Sequence, residues 1–136
     1  MSVATKSLAK VLILEDDSWF VEILVNILAD DYEIKIANNP GKVFAILDQW
    51  WPDLILADVI LGAKNLFVLL NEMQSYIDSR KIPIVILSSV AQQINQHDVV
   101  KFNVKKVIDK VQVTPVILRK TLCEIIAKNR AKRTDQ

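Results

Sequence analysis

Three runs of the chain are apolar at every step: Val11-Leu12-Ile13-Leu14, Leu54-Ile55-Leu56-Ala57 and Pro83-Ile84-Val85-Ile86-Leu87. Runs of that length without alternation predict strands buried on both faces. Each ends abruptly on polar residues: Glu15-Asp16-Asp17, Asp58 and Ser88-Ser89. Tyr32 to Ala37 alternates polar and apolar positions instead, the mark of a strand with one wet face. Lys106-Val107-Ile108-Asp109 is a short mixed strand ending at Lys110.

Between the strands the period changes to that of a helix. Phe20, Ile23, Leu24, Ile27 and Leu28 share one helical face, with Asp17 or Ser18 as N-cap and Asp30-Asp31 closing the segment. Asn38-Asn39-Pro40-Gly41 is turn chemistry. It leads into a second helix that buries Val43, Phe44 or Ala45, Ile46 and Leu47 and stops before Trp51-Pro52. Val59 to Lys64 reads as a loop, and Asn65 caps a third helix through Leu66, Leu69, Leu70 and Met73. Ala91 to Phe102 is expected as a fourth helix, although its pattern is poor and rich in Gln and Asn. Thr114-Pro115 supplies an N-cap and a first-turn proline for the last helix, which buries Leu118, Leu122, Ile125 and Ile126.

Five strand–helix pairs at regular intervals predict an α/β fold with helices on both faces of a parallel sheet. The wholly apolar strands belong at its centre and the mixed second and fifth at its edges. That matches a flavodoxin-like, doubly wound five-stranded sheet in the order 2-1-3-4-5.

With 136 residues, the chain suffices for one domain with a proper core. No apolar stretch approaches the roughly 20 residues of a membrane span, and Met1 to Ala9 lacks the apolar core of a secretory signal. Cys123 is the only cysteine, so no internal disulfide is possible and a cytoplasmic setting is expected. A formal charge of +1 gives no general reason to expect nucleic acid or membrane as partner. The basic end, Lys128, Arg130, Lys132 and Arg133, reads as charge complementing a helix C-terminus. The only two glycines, Gly41 and Gly62, cannot form a glycine-rich phosphate loop, so phosphate chemistry must rest on side chains and a metal.

In such sheets ligands bind beyond the carboxyl ends of the strands. The residues there are Glu15, Asp16, Asp58, Ser88 and Lys110. Each has a bland reading alone: a dipole-favoured helix start for the acids, a turn starter for Asp58, a helix cap for Ser88, a surface lysine for Lys110. Their joint placement at the ends of four strands favours a site. Crowded carboxylates repel unless a cation joins them, and an all-oxygen set with open positions suits Mg²⁺. Asp58 can act as ligand and as nucleophile, forming an acyl phosphate. Mg²⁺, the Lys110 ammonium and the Ser88 hydroxyl would then neutralise the phosphoryl oxygens.

From about Lys10 to Lys128 the chain resembles a response-regulator receiver domain of the stand-alone, chemotaxis-regulator type. The resemblance is carried by Val11 to Asp17, Asp53 to Asp58, Pro83 to Ser88 and Lys110, at the family's spacing. It implies that Asp58 accepts a phosphoryl group from a histidine kinase or histidine phosphotransfer protein. It implies further that Glu15, Asp16, Asp58 and the backbone carbonyl of Ile60 hold Mg²⁺, and that Ser88 and Lys110 bind the phosphoryl group. A downstream protein partner is expected, with no DNA-binding domain attached. Such domains usually dimerise through the last two helices and fifth strand, and kinases dock on their first helix, where Trp19, Val21 and Val25 lie off the apolar stripe.

Departures from the family pattern are equally specific. Val107 stands at the switch position usually held by an aromatic, and Val111 where a cis proline usually follows the lysine. A cis bond to valine would cost about 3 kcal/mol. Leu66 and Asn103 replace the usual glycines before the third helix and fifth strand; Asn tolerates a left-handed backbone well. At the two positions that tune acyl-phosphate hydrolysis, Ile60 and Val90 are apolar and cannot activate water. The expected organisation is an N-terminal extension over 1–9, a receiver domain over 10–130 and a tail over 131–136. An interaction module of the same fold that is not switched by phosphate is the alternative; a conventional enzyme lacks a visible base and substrate cleft. His97 is alone in a polar segment and is not expected to act chemically.

Overall fold

The computed structural model describes residues 8–61 and 64–134. Most of the expected N-terminal extension and the last two residues of the tail lie outside this range, as do Gly62 and Ala63 of the loop after Asp58.

Five parallel strands form one sheet in the order 2-1-3-4-5. They are β1 (Ala9–Leu14), β2 (Tyr32–Ala37), β3 (Leu54–Ala57), β4 (Ile84–Ser88) and β5 (Val104–Asp109). Side chains on successive residues point to opposite faces, so each apolar strand feeds two cores. Leu12, Leu14, Ile55, Ala57, Ile84 and Ile86 pack with α2 (Val43–Leu47) and α3 (Leu66–Gln74). Val11, Ile13, Leu54, Leu56, Val85 and Leu87 pack with α1 (Ser18–Leu28) and α5 (Pro115–Thr134). This double burial is why β1, β3 and β4 need no alternation. On the edge strand β2, Glu33 and Lys35 are exposed.

The helix ends follow the chemistry read from the sequence. Asp17 is the N-cap of α1, its Oδ1 accepting the N–H groups of Trp19 (3.0 Å) and Phe20 (3.4 Å). Thr114 Oγ1 accepts the Ile117 N–H at 3.2 Å at the start of α5. Leu24 and Leu28 of α1, and Leu118, Leu122 and Ile126 of α5, are buried.

Four details differ from the expectation. The fourth helix is not continuous: a 3₁₀ turn over Ala91–Gln93, a short helix α4 (Gln96–Val99) capped by Asn95, and a 3₁₀ turn over Val100–Phe102 take its place. The polar face that made its pattern poor offers too little to bury to hold one straight helix. The loop after Asp58 contains a two-residue antiparallel pairing of Ile60–Leu61 with Lys64–Asn65. β5 begins at Val104, two residues early, because Val104 is buried beside Ile84. Finally, α5 runs through residue 134, beyond the expected domain end.

Asn103, just before β5, has φ 65° and is the one non-glycine residue with positive φ among the described residues. Its amide Nδ2 donates to the Ile82 carbonyl at 2.9 Å, which fixes the turn. The Lys110–Val111 bond is trans, as are all the described peptide bonds.

Candidate functional site

Main-chain bonds carry the parallel ladders one residue past the strand ends. The Glu15 N–H donates to Ala37 O (3.1 Å), the Asp58 N–H to Leu14 O (3.0 Å) and the Lys110 N–H to Ser88 O (3.0 Å). Glu15, Asp58, Ser88 and Lys110 are thereby held on one rim at the spacing of adjacent strands, about 4.8 Å. A long side chain from the end of edge strand β5 can then reach back along the rim, across the end of β4, to the ends of β3 and β1.

They do. The Lys110 ammonium donates to Glu15 Oε1 and, at 3.1 Å, to Asp58 Oδ2. Side-chain exposures of 15% for Lys110, 4% for Glu15 and 9% for Asp58 place this triad largely out of water, where charge pairing is strong. Glu15 Oε2 also accepts the N–H groups of Asp16 (3.0 Å) and Asp17 (3.2 Å), so the carboxylate curls onto its own turn. Burial pushes the Glu15 carboxyl above its ordinary pKa, against the opposing pull of Lys110 and the backbone. Burial alone would lower the Lys110 pKa, but the bonds to Glu15 and Asp58 outweigh it and leave it raised.

Phe20 completes the pocket, with the Lys110 Nζ 4.2 Å from its ring centre. A cation over an aromatic face gains about 0.5–2 kcal/mol, more where water is excluded. Sequence reasoning missed this role because Phe20 falls on the apolar stripe of α1 and reads as core. Its place one turn into the helix that follows the acids was the available signal.

The other expected residues sit at the same rim with different contacts. Asp16 is exposed at the start of the turn into α1. Ser88 is fully buried, and its Oγ accepts the Val90 N–H at 3.2 Å. Ile60 opens the two-residue ribbon two positions after Asp58. Val107, paired with Ile86, is partly buried against the core on the α3 face.

Glu15 and Asp58 both bond one ammonium in a poorly hydrated rim, with the exposed Asp16 carboxylate close in sequence. Carboxylate oxygens gathered on one rim are hard donors that match the chemistry of Mg²⁺. Among the described residues, no three acidic, histidine or cysteine side chains are already arranged to hold a metal ion. Glu15 is turned onto Lys110, so an ion would have to share that carboxylate with the ammonium.

The basic end also has a more definite contact than helix-dipole complementation. Arg130 Nη2 reaches Asp53 Oδ2 at 3.2 Å, and the same oxygen accepts the Lys10 N–H at 2.8 Å. Asp53 thus ties β1, β3 and α5 together at the end of the sheet away from the acids. No helix among the described residues is long and apolar enough to cross a membrane.

Comparison with known proteins places the fold. A receiver domain of CheY-like type from Methanospirillum hungatei JF-1 is similar at TM-score 0.77 and 21% identity, over 93% of this chain and 99% of that one. The receiver domain of a sensor histidine kinase from Pseudomonas aeruginosa PAO1, with a magnesium ion coordinated in its active-site cleft, is similar at TM-score 0.77 and 17% identity, over 89% and 99%. A protein-glutamate methylesterase/protein-glutamine glutaminase from Pseudomonas savastanoi pv. phaseolicola is 34% identical over 86 residues, 61% of this chain but 23% of that protein. The chain therefore spans about a quarter of that curated relative. The family model for the response regulator receiver domain matches residues 11–122, and the chain belongs to that family.

Proposed function

We propose that this receiver accepts a phosphoryl group on Asp58 from a histidine kinase or histidine phosphotransfer protein and passes the signal to a protein partner. The observation that carries the reading is the Asp58 carboxylate at the end of β3, 3.1 Å from the Lys110 ammonium, which reaches it from the end of β5. An Asp58 oxygen attacks phosphorus, an O–P bond forms, and the N–P bond of the donor imidazole breaks with its electron pair returning to nitrogen. Charge develops on the phosphoryl oxygens, and preorganised cations stabilise it best. Lys110 supplies one such charge and has only to exchange carboxylate for phosphoryl oxygen. The Ser88 hydroxyl hydrogen is available for a second oxygen. Mg²⁺, when bound, would neutralise a further oxygen, with Glu15, Asp16, Asp58 and the Ile60 carbonyl as its ligands.

The test is incubation with Mg²⁺ and a small acyl-phosphate or phosphoramidate donor, read by intact mass. A single phosphate adduct on the wild type and none on Asp58→Asn is expected. No adduct, or an equal adduct on the variant, contradicts the reading. With Ile60 and Val90 flanking the site, the adduct should outlast the purification; loss within seconds in Mg²⁺ would show that a water is activated after all.

A second reading, an interaction module not switched by phosphate, has one observation in its favour. Val107, partly buried against the core, stands at the switch position, and no aromatic ring is there to swing. A partner that binds wild type and Asp58→Asn equally, with and without phosphodonor, would select it.

A further inference from the structure

At the end of the sheet opposite the acids lies a concave surface of about 740 Å³. Arg80 and Lys81 reach it from the 3₁₀ turn before β4, Lys101 from the turn before β5, Lys105 from β5 and Lys132 from α5. Among the described residues none of these five cations has an acidic side chain within ion-pair distance. Two acids share the lining. Asp53 is already held by Arg130 and by the Lys10 N–H, and Asp78 is exposed. The concavity therefore carries a clear positive excess in a chain whose formal charge is only +1.

We propose that this concavity is a binding site for a nucleoside polyphosphate, the cations taking the phosphates and Trp51 the base. Trp51 lines the same surface and is 40% exposed, so its indole is free to stack; the Asn129 side-chain amide also lines it and can meet a base edge. The volume falls in the range of small-molecule sites, about 300–1,000 Å³, and a concave lining with an excess of one sign focuses its field on a small ion. A bilayer or a nucleic-acid helix would be met better by a flat or ridged basic surface. Burial, and then repulsion from Lys132, hold the Lys105 ammonium below its ordinary pKa, a conflict that an arriving anion relieves. The absence of a glycine-rich loop is no obstacle, because Arg80 can grip a phosphate by its guanidinium fork and the lysines act as point charges. The site lies one strand length from Asp58, roughly 15 Å, and does not rest on the phosphoacceptor reading.

Titration calorimetry of the whole chain at low ionic strength, with chelator present to exclude metal-bridged binding at the acidic rim, tests this. ATP is expected to bind at one site, and inorganic triphosphate more weakly. Lys105→Gln combined with Lys132→Gln should weaken ATP at least about tenfold, which is 1.4 kcal/mol. Trp51→Leu should weaken ATP several-fold and leave inorganic triphosphate unchanged. Circular dichroism and melting curves confirm that each variant is folded, as expected for exposed positions. No binding of ATP, unchanged binding in the lysine double variant, or equal loss for triphosphate in Trp51→Leu would overturn the proposal. So would loss of ATP binding in Asp58→Asn, or capture of anionic vesicles or RNA without ATP.

Discussion

Replacing Lys110 with methionine keeps most of the side-chain volume and removes the charge shared by Glu15 and Asp58. Breaking a buried ion pair from one side costs about 3–5 kcal/mol, because a buried charge is left uncompensated. Two carboxylates lose their ammonium here, but one can take a proton, and each pKa unit of displacement costs about 1.4 kcal/mol. With Lys110 15% exposed, the lower end applies: about 3 kcal/mol at pH 7. For a domain of this size that is a fall in Tm of about 10 °C. The sign with pH follows from which state binds more protons. In the variant the folded state holds a proton that the unfolded chain releases above pH ~4.5, so the deficit should shrink as pH falls toward 4. Adding Asp58→Asn to Lys110→Met removes one of the two repelling charges and should restore about 2 kcal/mol, whereas Asp58→Asn alone should not stabilise. Urea denaturation of the four proteins at pH 7 and pH 4.5 measures each term. Equal effects of Asp58→Asn with and without the lysine would refute the shared-charge account.

Three further expectations can be checked by denaturation. Asn103→Ala should cost about 2 kcal/mol, combining left-handed strain with the lost bond to Ile82, while Asn103→Gly should cost less than half as much because only the bond is lost. Tyr32 is buried and its hydroxyl is held above its ordinary pKa by burial first, then by Cys123 and Asp31. The unfolded tyrosine therefore ionises before the folded one, and stability should fall as pH rises above 10; Tyr32→Phe should flatten that fall in melting curves taken between pH 9 and 11.5. Millimolar Mg²⁺ should raise the Tm of the wild type, chelator should reverse the rise, and Asp58→Asn should show a smaller one, since only binding to the folded state stabilises.

The sheet order was legible because double burial leaves an unmistakable pattern: Val11 to Leu14 and Leu54 to Ala57 have no polar position for a wet face. The rim residues were legible because strand ends and polar residues coincide. Contacts made across the fold by long side chains were not. Nothing local to Lys110 announces Phe20, 90 positions away in the sequence, and nothing local to Arg130 announces Asp53. The broken region from Ala91 to Phe102 was visible only as a weak pattern, since Gln and Asn neither forbid a helix nor give it a face to bury. Asn103 was read correctly because a left-handed turn selects among few residue types.

The seat of the Lys110 ammonium against Phe20 gives the acidic rim a built-in reporter. An aromatic ring under a cation feels a strong local field, and that field changes when the cation moves by even a fraction of a nanometre. A fluorine placed on the Phe20 ring would therefore register, in its chemical shift, where the ammonium rests. Phosphorylation, metal binding and partner docking could each be followed through one resonance without altering any acid or base that takes part.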